Sequence, residues 1–210
     1  MSLANNNRMV LVEAESFDRR GGWVLDQQFM DQMGSPFLMA HGMGRPVEDA
    51  STSVAIPGKG VWHVYVRTWN WCSPWKTKEK PGRFQLSVNG TRLDNELGLG
   101  ERWDWEYAGS IEIKEKLNRV TLHDLTGFNG RGDAILFTKE KEVRIPNEGE
   151  PMRKFRKKLT GLPEQPGNGG TYDLVVVGAG TAGLGAAIKG AREGLKVALI
   201  HNRPVPGGNN

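Results

Sequence analysis

From Met9 to about Lys139 the apolar positions come in short alternating runs, and after Tyr172 they come in continuous blocks. In the first region the runs are "MVLVEAES", "GGWVLD", "SPFLMA", "TSVAIP", "GVWHVYVRTWNW", "RFQLSVNG", "WEYAGSIEI", "RVTLHDLTG" and "DAILFTKE". They are rich in Val, Ile, Thr and aromatic residues and are punctuated by Pro-Gly, Asn-Gly and Gly-Lys-Gly, so each reads as a strand. No window there carries a helical period. Strands in series without intervening helices predict an antiparallel sandwich or jelly roll. Residues 1–139 are enough for one such domain with its own core.

The blocks after Tyr172 predict something else. "YDLVVVGAG" suits a strand buried on both faces. "TAGLGAAIKGAREG" spaces small and apolar residues as a helix does and stops at Gly194, and "LKVALIHN" returns as a second buried strand. Strand, glycine turn, helix and strand make one βαβ unit with parallel strands over residues 172–210, expected to be the incomplete start of a larger Rossmann domain. Between the regions, residues 140–171 alternate charge and then supply Pro and Gly, so a solvated connector is expected, with a short helical turn around Arg153–Leu159.

Composition changes this picture in a few places. The net charge of +4 invites a nucleic-acid reading, but 139–158 alone hold eight basic and four acidic residues, leaving twenty of each elsewhere. No basic face is needed, and no nucleic-acid partner is expected. No apolar run approaches the ~20 residues of a membrane span, so no membrane partner is expected. The N-terminus lacks a basic then apolar leader, which makes the cytoplasm the default, with the periplasm or secretion open if the N-terminus is processed or truncated. One cysteine, Cys72, excludes disulfides and multi-cysteine metal sites, and His41, His63, His123 and His201 have no metal-ligand spacing. No Gly-x-Ser-x-Gly elbow is present, so no catalytic nucleophile is assigned.

The sharpest chemistry is the turn Gly178-Ala179-Gly180-Thr181-Ala182-Gly183. Gly178 permits the tight turn, Gly180 lets backbone approach a pyrophosphate, and Gly183 lets the helix pack closely. The helix start then offers unpaired N–H groups to phosphate. At the end of the second strand, where an acidic side chain normally holds the adenosine ribose, stand His201, Asn202 and Arg203. A neutral histidine offers one hydrogen bond there, and Asn202 shares the task. "RPVPGGNN" follows. The whole stretch "VVVGAGTAGLGAAIKGAREGLKVALIHNRPVPGGNN" resembles the FAD-binding start of the glutathione reductase-like flavoproteins, and in particular a family of FAD-dependent oxidoreductases. The resemblance implies FAD as cofactor, 178–183 as its pyrophosphate cradle, and Gly207 and Gly208 as the loop closing near the dinucleotide. It also implies a missing C-terminal catalytic part as partner, so no residue here is assigned hydride transfer and no turnover is expected of this chain alone.

The first region has a resemblance of its own. "VLVEAESF", "GGW" and "GRGDAILFTK" are similar to the galactose-binding-like jelly rolls, including carbohydrate-binding modules of families six and thirty-five. That resemblance implies a structural calcium at Glu13, Glu15 and Asp133, the alternative being hydrogen bonds or ion pairs at the sandwich edge. On β alternation Tyr65, Arg67, Trp69 and Trp71 share one face. This face either stacks on a carbohydrate ligand, with Trp75, Trp103 and Trp105 nearby, or fills a second layer of the sandwich. Asp104, Asp124 and Asn129 are spare hydrogen-bonding groups. "RGD" at 131–133 is set aside as chance. The chain is thus expected to be the N-terminal portion of an FAD-dependent oxidoreductase linked to carbohydrate metabolism, or else a carbohydrate-binding or docking module.

Overall fold

The alternating runs do become strands. A computed structural model describes residues 8–76, 78–203 and 205–207. The strands are β1 (Met9–Glu13), β2 (Trp23–Asp26), β3 (Phe37–Ala40), β4 (Ala50–Ala55), β5 (Gly60–Thr68), β6 (Phe84–Val88), β7 (Thr91–Arg92), β8 (Asp104–Ile113), β9 (Leu117–Asp124) and β10 (Gly130–Thr138). One sheet runs β2-β3-β10-β5-β8 with β1 also on β10, and the other runs β4-β9-β6-β7. Every pairing in both sheets is antiparallel. The inward alternate positions Trp62, Val64 and Val66 of β5 meet Leu86 and Val88 of β6 and Val120 and Leu122 of β9 in one core. This is a mainly β jelly-roll sandwich. Every residue of β10 is buried, because strands flank both edges and its outer face is covered as well.

Two short helices accompany the sheets, α1 (Met30–Met33) and α2 (Gly149–Leu159). The second is longer than the turn expected around Arg153–Leu159, and it is not solvated all round. Met152 and Arg156, one turn apart, are 3% and 8% exposed. Glu150 in its first turn and Arg156, Lys157 and Lys158 in its last match the helix dipole.

The chain divides into two units, Met1–Leu162 and Pro163–Asn210. In the second, β11 (Leu174–Val177) and β12 (Val197–Ile200) pair in parallel, and α3 (Thr181–Arg192) connects them. Gly183, Ala187 and Gly190 share one helical face. At Gly190 a Cβ would stand 2.8 Å from Leu174 Cδ2 and 3.3 Å from Val197 Cγ2, so a larger residue there would make both strand side chains give way. Gly194 (φ +85°) ends the helix where the sequence placed its stop.

Candidate functional site

The glycine turn is built by main-chain geometry. Gly178 sits at φ +100°, a conformation L side chains rarely adopt, and its N–H donates to Ile200 O at 2.8 Å. A Cβ on Gly183 would lie 1.8 Å from Gly178 O, so the first turn of α3 closes on the loop only because residue 183 is glycine. At Gly178 and Gly180 an added Cβ would meet nothing within 4 Å; the face of the turn is open. Gly180 caps α3 without a side-chain hydrogen bond, and the first-turn N–H groups of Thr181, Ala182 and Gly183 have no intrahelical partner. Open space at Gly178 and Gly180 beside N–H groups free of intrahelical bonds, at a positive dipole end, suits a diphosphate.

The remaining predicted residues of this turn divide. Gly207 N–H donates to Ala179 O at 2.7 Å and Thr181 Oγ1 to Gly207 O at 3.2 Å, so the proline-rich loop folds back on the turn. His201 Nδ1 accepts from Ala179 N–H at 3.1 Å and Nε2 lies 3.3 Å from Val205 O. Both ring nitrogens therefore hold protein in place, which the sequence did not reveal. Asn202 and Arg203 are exposed, and Gly208 lies outside the described residues.

In the sandwich, Glu13, Glu15 and Asp133 do converge, although β1 ends at Glu13 and Glu15 stands on a 3-10 turn, not on the strand. Two guanidiniums lie among them. Arg67 Nη1 donates to Asp133 Oδ2 at 2.9 Å, and Arg156 Nη2 to Asp133 Oδ1 and Glu13 Oε2, both at 2.8 Å. Burial pushes the Glu13 carboxyl up to about 7. Burial, with the Glu13 charge beside it, pushes Glu15 up to about 8. Burial works against the charge of Arg156, but Asp133 and Glu13 outweigh it and hold it above the usual range. The calcium reading does not fit these residues. Asp133 has both oxygens on guanidiniums, and the space between Asp133 and Glu13 holds Arg156 Nη2. Among the described residues no group of three or more His, Cys, Asp or Glu is arranged to hold a metal.

The aromatic face also divides. Tyr65 O–H donates to the Lys141 carbonyl. Arg67 Nε and Nη2 hold Asn147 Oδ1 and O at 2.9 and 2.8 Å, and Trp105 Nε1 donates to Pro146 O at 3.0 Å. Residues 141–147 therefore lie along the outer face of β5 and β8, and Arg67 is 2% exposed. Trp71 lies past the end of β5 against Trp75, ring centroids 4.7 Å apart, with Trp75 60% exposed. Trp69 packs edge-on to Phe29 at 5.3 Å and beside Trp103 at 5.9 Å. Phe29, Trp69, Trp103, Asp104, Asn147 and Glu148 border an open cleft of about 770 Å3. Behind it Arg131 is 2% exposed, 5.4–5.5 Å from the rings of Phe29, Phe37, Trp69 and Trp71, and burial pulls its guanidinium down to about 10. Asp124 and Asn129 tie loops together through Val47 N–H and His41. Sequence reasoning missed Arg156, Phe29 and Asn147. Only the helical spacing of Met152 and Arg156 could have drawn attention to the first.

With this geometry in view, residues 173–210 match the family model described as FAD dependent oxidoreductase. The soluble pyridine nucleotide transhydrogenase of Ectopseudomonas mendocina (strain ymp) is 58% identical over 38 residues, 18% of this chain and 8% of that protein. The NADH:fumarate oxidoreductase of Klebsiella pneumoniae (strain 342) is 33% identical over 144 residues, 63% of this chain and 15% of that protein. The chain spans only those small shares, 8% and 15%, of the two relatives. In fold, it superposes on the crystal structure of the Podospora anserina GH26-CBM35 beta-(1,4)-mannanase with a TM-score of 0.51 at 15% identity, over 92% of this chain and 42% of that one. No helix among the described residues is long and apolar enough to cross a membrane. The chain therefore joins a jelly-roll β-sandwich, similar in fold to that crystal structure, to a βαβ segment similar to the FAD dependent oxidoreductases.

Proposed function

We propose that this chain is a portion of an FAD-dependent oxidoreductase of carbohydrate metabolism, in which residues 172–210 cradle the FAD pyrophosphate and residues 1–139 bind saccharide or dock the catalytic part. The observation that carries the first half is the glycine turn, with Gly183 closed on Gly178 O and open space in front of Gly178 and Gly180. Gly180 to Gly183 would hold the diphosphate oxygens by main-chain N–H groups, and Gly207 would close the loop over them. Bound FAD would supply two-electron redox chemistry. This chain's own residues would bind and orient it, and none is given a proton or hydride to move. Calorimetric titration of the full chain with FAD and with ADP tests the reading. Both are expected to bind, and Gly180→Val is expected to weaken both at least ~10-fold by filling the phosphate space. Equal affinity in the variant would contradict it.

The cleft bordered by Phe29, Trp69 and Trp103 supports the saccharide half. Aromatic faces beside Asp104 and Glu148 pair apolar contact with hydrogen bonding, as sugar rings require. Neutral β-linked oligosaccharides are expected to quench the fluorescence of Trp69 and Trp103. An unchanged spectrum across a panel of such sugars would leave docking as the sandwich's role.

A further inference from the structure

We propose that Glu13, Asp133, Ser35 and the Met33 carbonyl form a cation-binding site whose resident cation is the guanidinium of Arg156, so that the sandwich closes this site with its own α2 in place of calcium. The inference is independent of the flavin reading. Arg156 Nη2 stands 2.8 Å from Glu13 Oε2 and 2.8 Å from Asp133 Oδ1. Nη1 stands 2.7 Å from the Met33 carbonyl and 2.7 Å from Ser35 Oγ. Carboxylate, hydroxyl and main-chain carbonyl oxygens are the donors a hard divalent cation takes, and here all four converge on one side chain.

The site is built from buried groups. The side chains of Asp133 and Arg156 are 0% and 9% exposed, and Arg67 takes the remaining Asp133 oxygen from a side chain 3% exposed. Glu15 lies beside them with Oε2 buried and unpartnered. Three carboxyls thus face two guanidiniums, and loss of either guanidinium leaves buried carboxyl oxygens without their donor. A tethered cation differs from a free ion in one useful respect: its binding also holds α2 on β1, where the helix packs. No chelator can remove it.

The test uses the full chain and calcium chloride as the probe. Wild-type protein is expected to give no binding heat and the same melting temperature with calcium or with EDTA; a midpoint raised by calcium overturns the proposal. Arg156→Ala is expected to melt about 10 °C lower. It is expected to recover roughly half of that loss in about 10 mM calcium or methylguanidinium, neither of which acts on the wild type. A variant that melts as the wild type does, or that responds to neither cation, overturns the proposal. Should Arg156→Ala not fold, the paired variant Glu13→Gln/Arg156→Met removes one charge of each sign and leaves Asp133 with Arg67. It is expected to fold and to ignore calcium, and a calcium response there overturns the proposal.

Discussion

In the sandwich the chemistry faces inward, and in the βαβ unit it faces outward. Arg67, Asp133 and Arg156 are 2%, 0% and 8% exposed, and Asp133 pairs with both guanidiniums. The polar groups of the glycine turn are main-chain N–H groups before open space, and apolar side chains around them are uncovered: Val177 is 80%, Ile200 53% and Val175 51% exposed. The lesson is about where each unit's stability comes from. Two sheets closing on one core hold the first. Two strands and a helix hold the second, and two-stranded arrangements are marginal alone.

Hydrogen exchange should show the largest difference. Amides of β5 and β10 are expected to exchange at least ~1,000-fold more slowly than those of β11 and β12. Equal protection in the two units would break the comparison. Next comes the buried charge. Asp133→Asn weakens both guanidinium contacts and is expected to cost about 3 kcal/mol in the sandwich, read by denaturant unfolding. The glycine turn should be unaffected.

A pH scan sharpens the same point. The carboxyls of Glu13 and Glu15 are raised by burial to about 7 and about 8, so the folded sandwich holds protons that the unfolded chain releases. Stability from this source is full below about pH 4.5 and is lost as pH rises through 7 and 8. The melting temperature is expected to fall from pH 5 to pH 9, and Glu15→Gln is expected to flatten much of that slope. The smallest effect is expected from His201→Ala, about 1 kcal/mol confined to the βαβ unit, because its two contacts lie in a partly exposed loop.

What the sequence disclosed follows from how local each feature is. The nine expected strands are present because alternation is written in neighbouring residues, and β7, two residues long, is too short to carry a pattern. The glycine turn was legible because its contacts close within five residues, Gly178 O against Gly183. Arg156 was not legible, since its partner Glu13 is 143 positions away and an arginine in "RKFRKK" counts as polar in any periodicity. How the aromatic face divides was hidden for a similar reason. Alternation put Tyr65, Arg67 and Trp69 on one side of β5, but nothing local says that Lys141 and Asn147 would lie over two of them.

Amide NMR of the full chain titrated with ADP tests the pyrophosphate cradle most directly. Shifts confined to Gly178 to Leu184 and Gly207, absent in Gly180→Val, are what a pyrophosphate cradle predicts. Shifts that fall only on sandwich residues, or none at millimolar ADP, would contradict it.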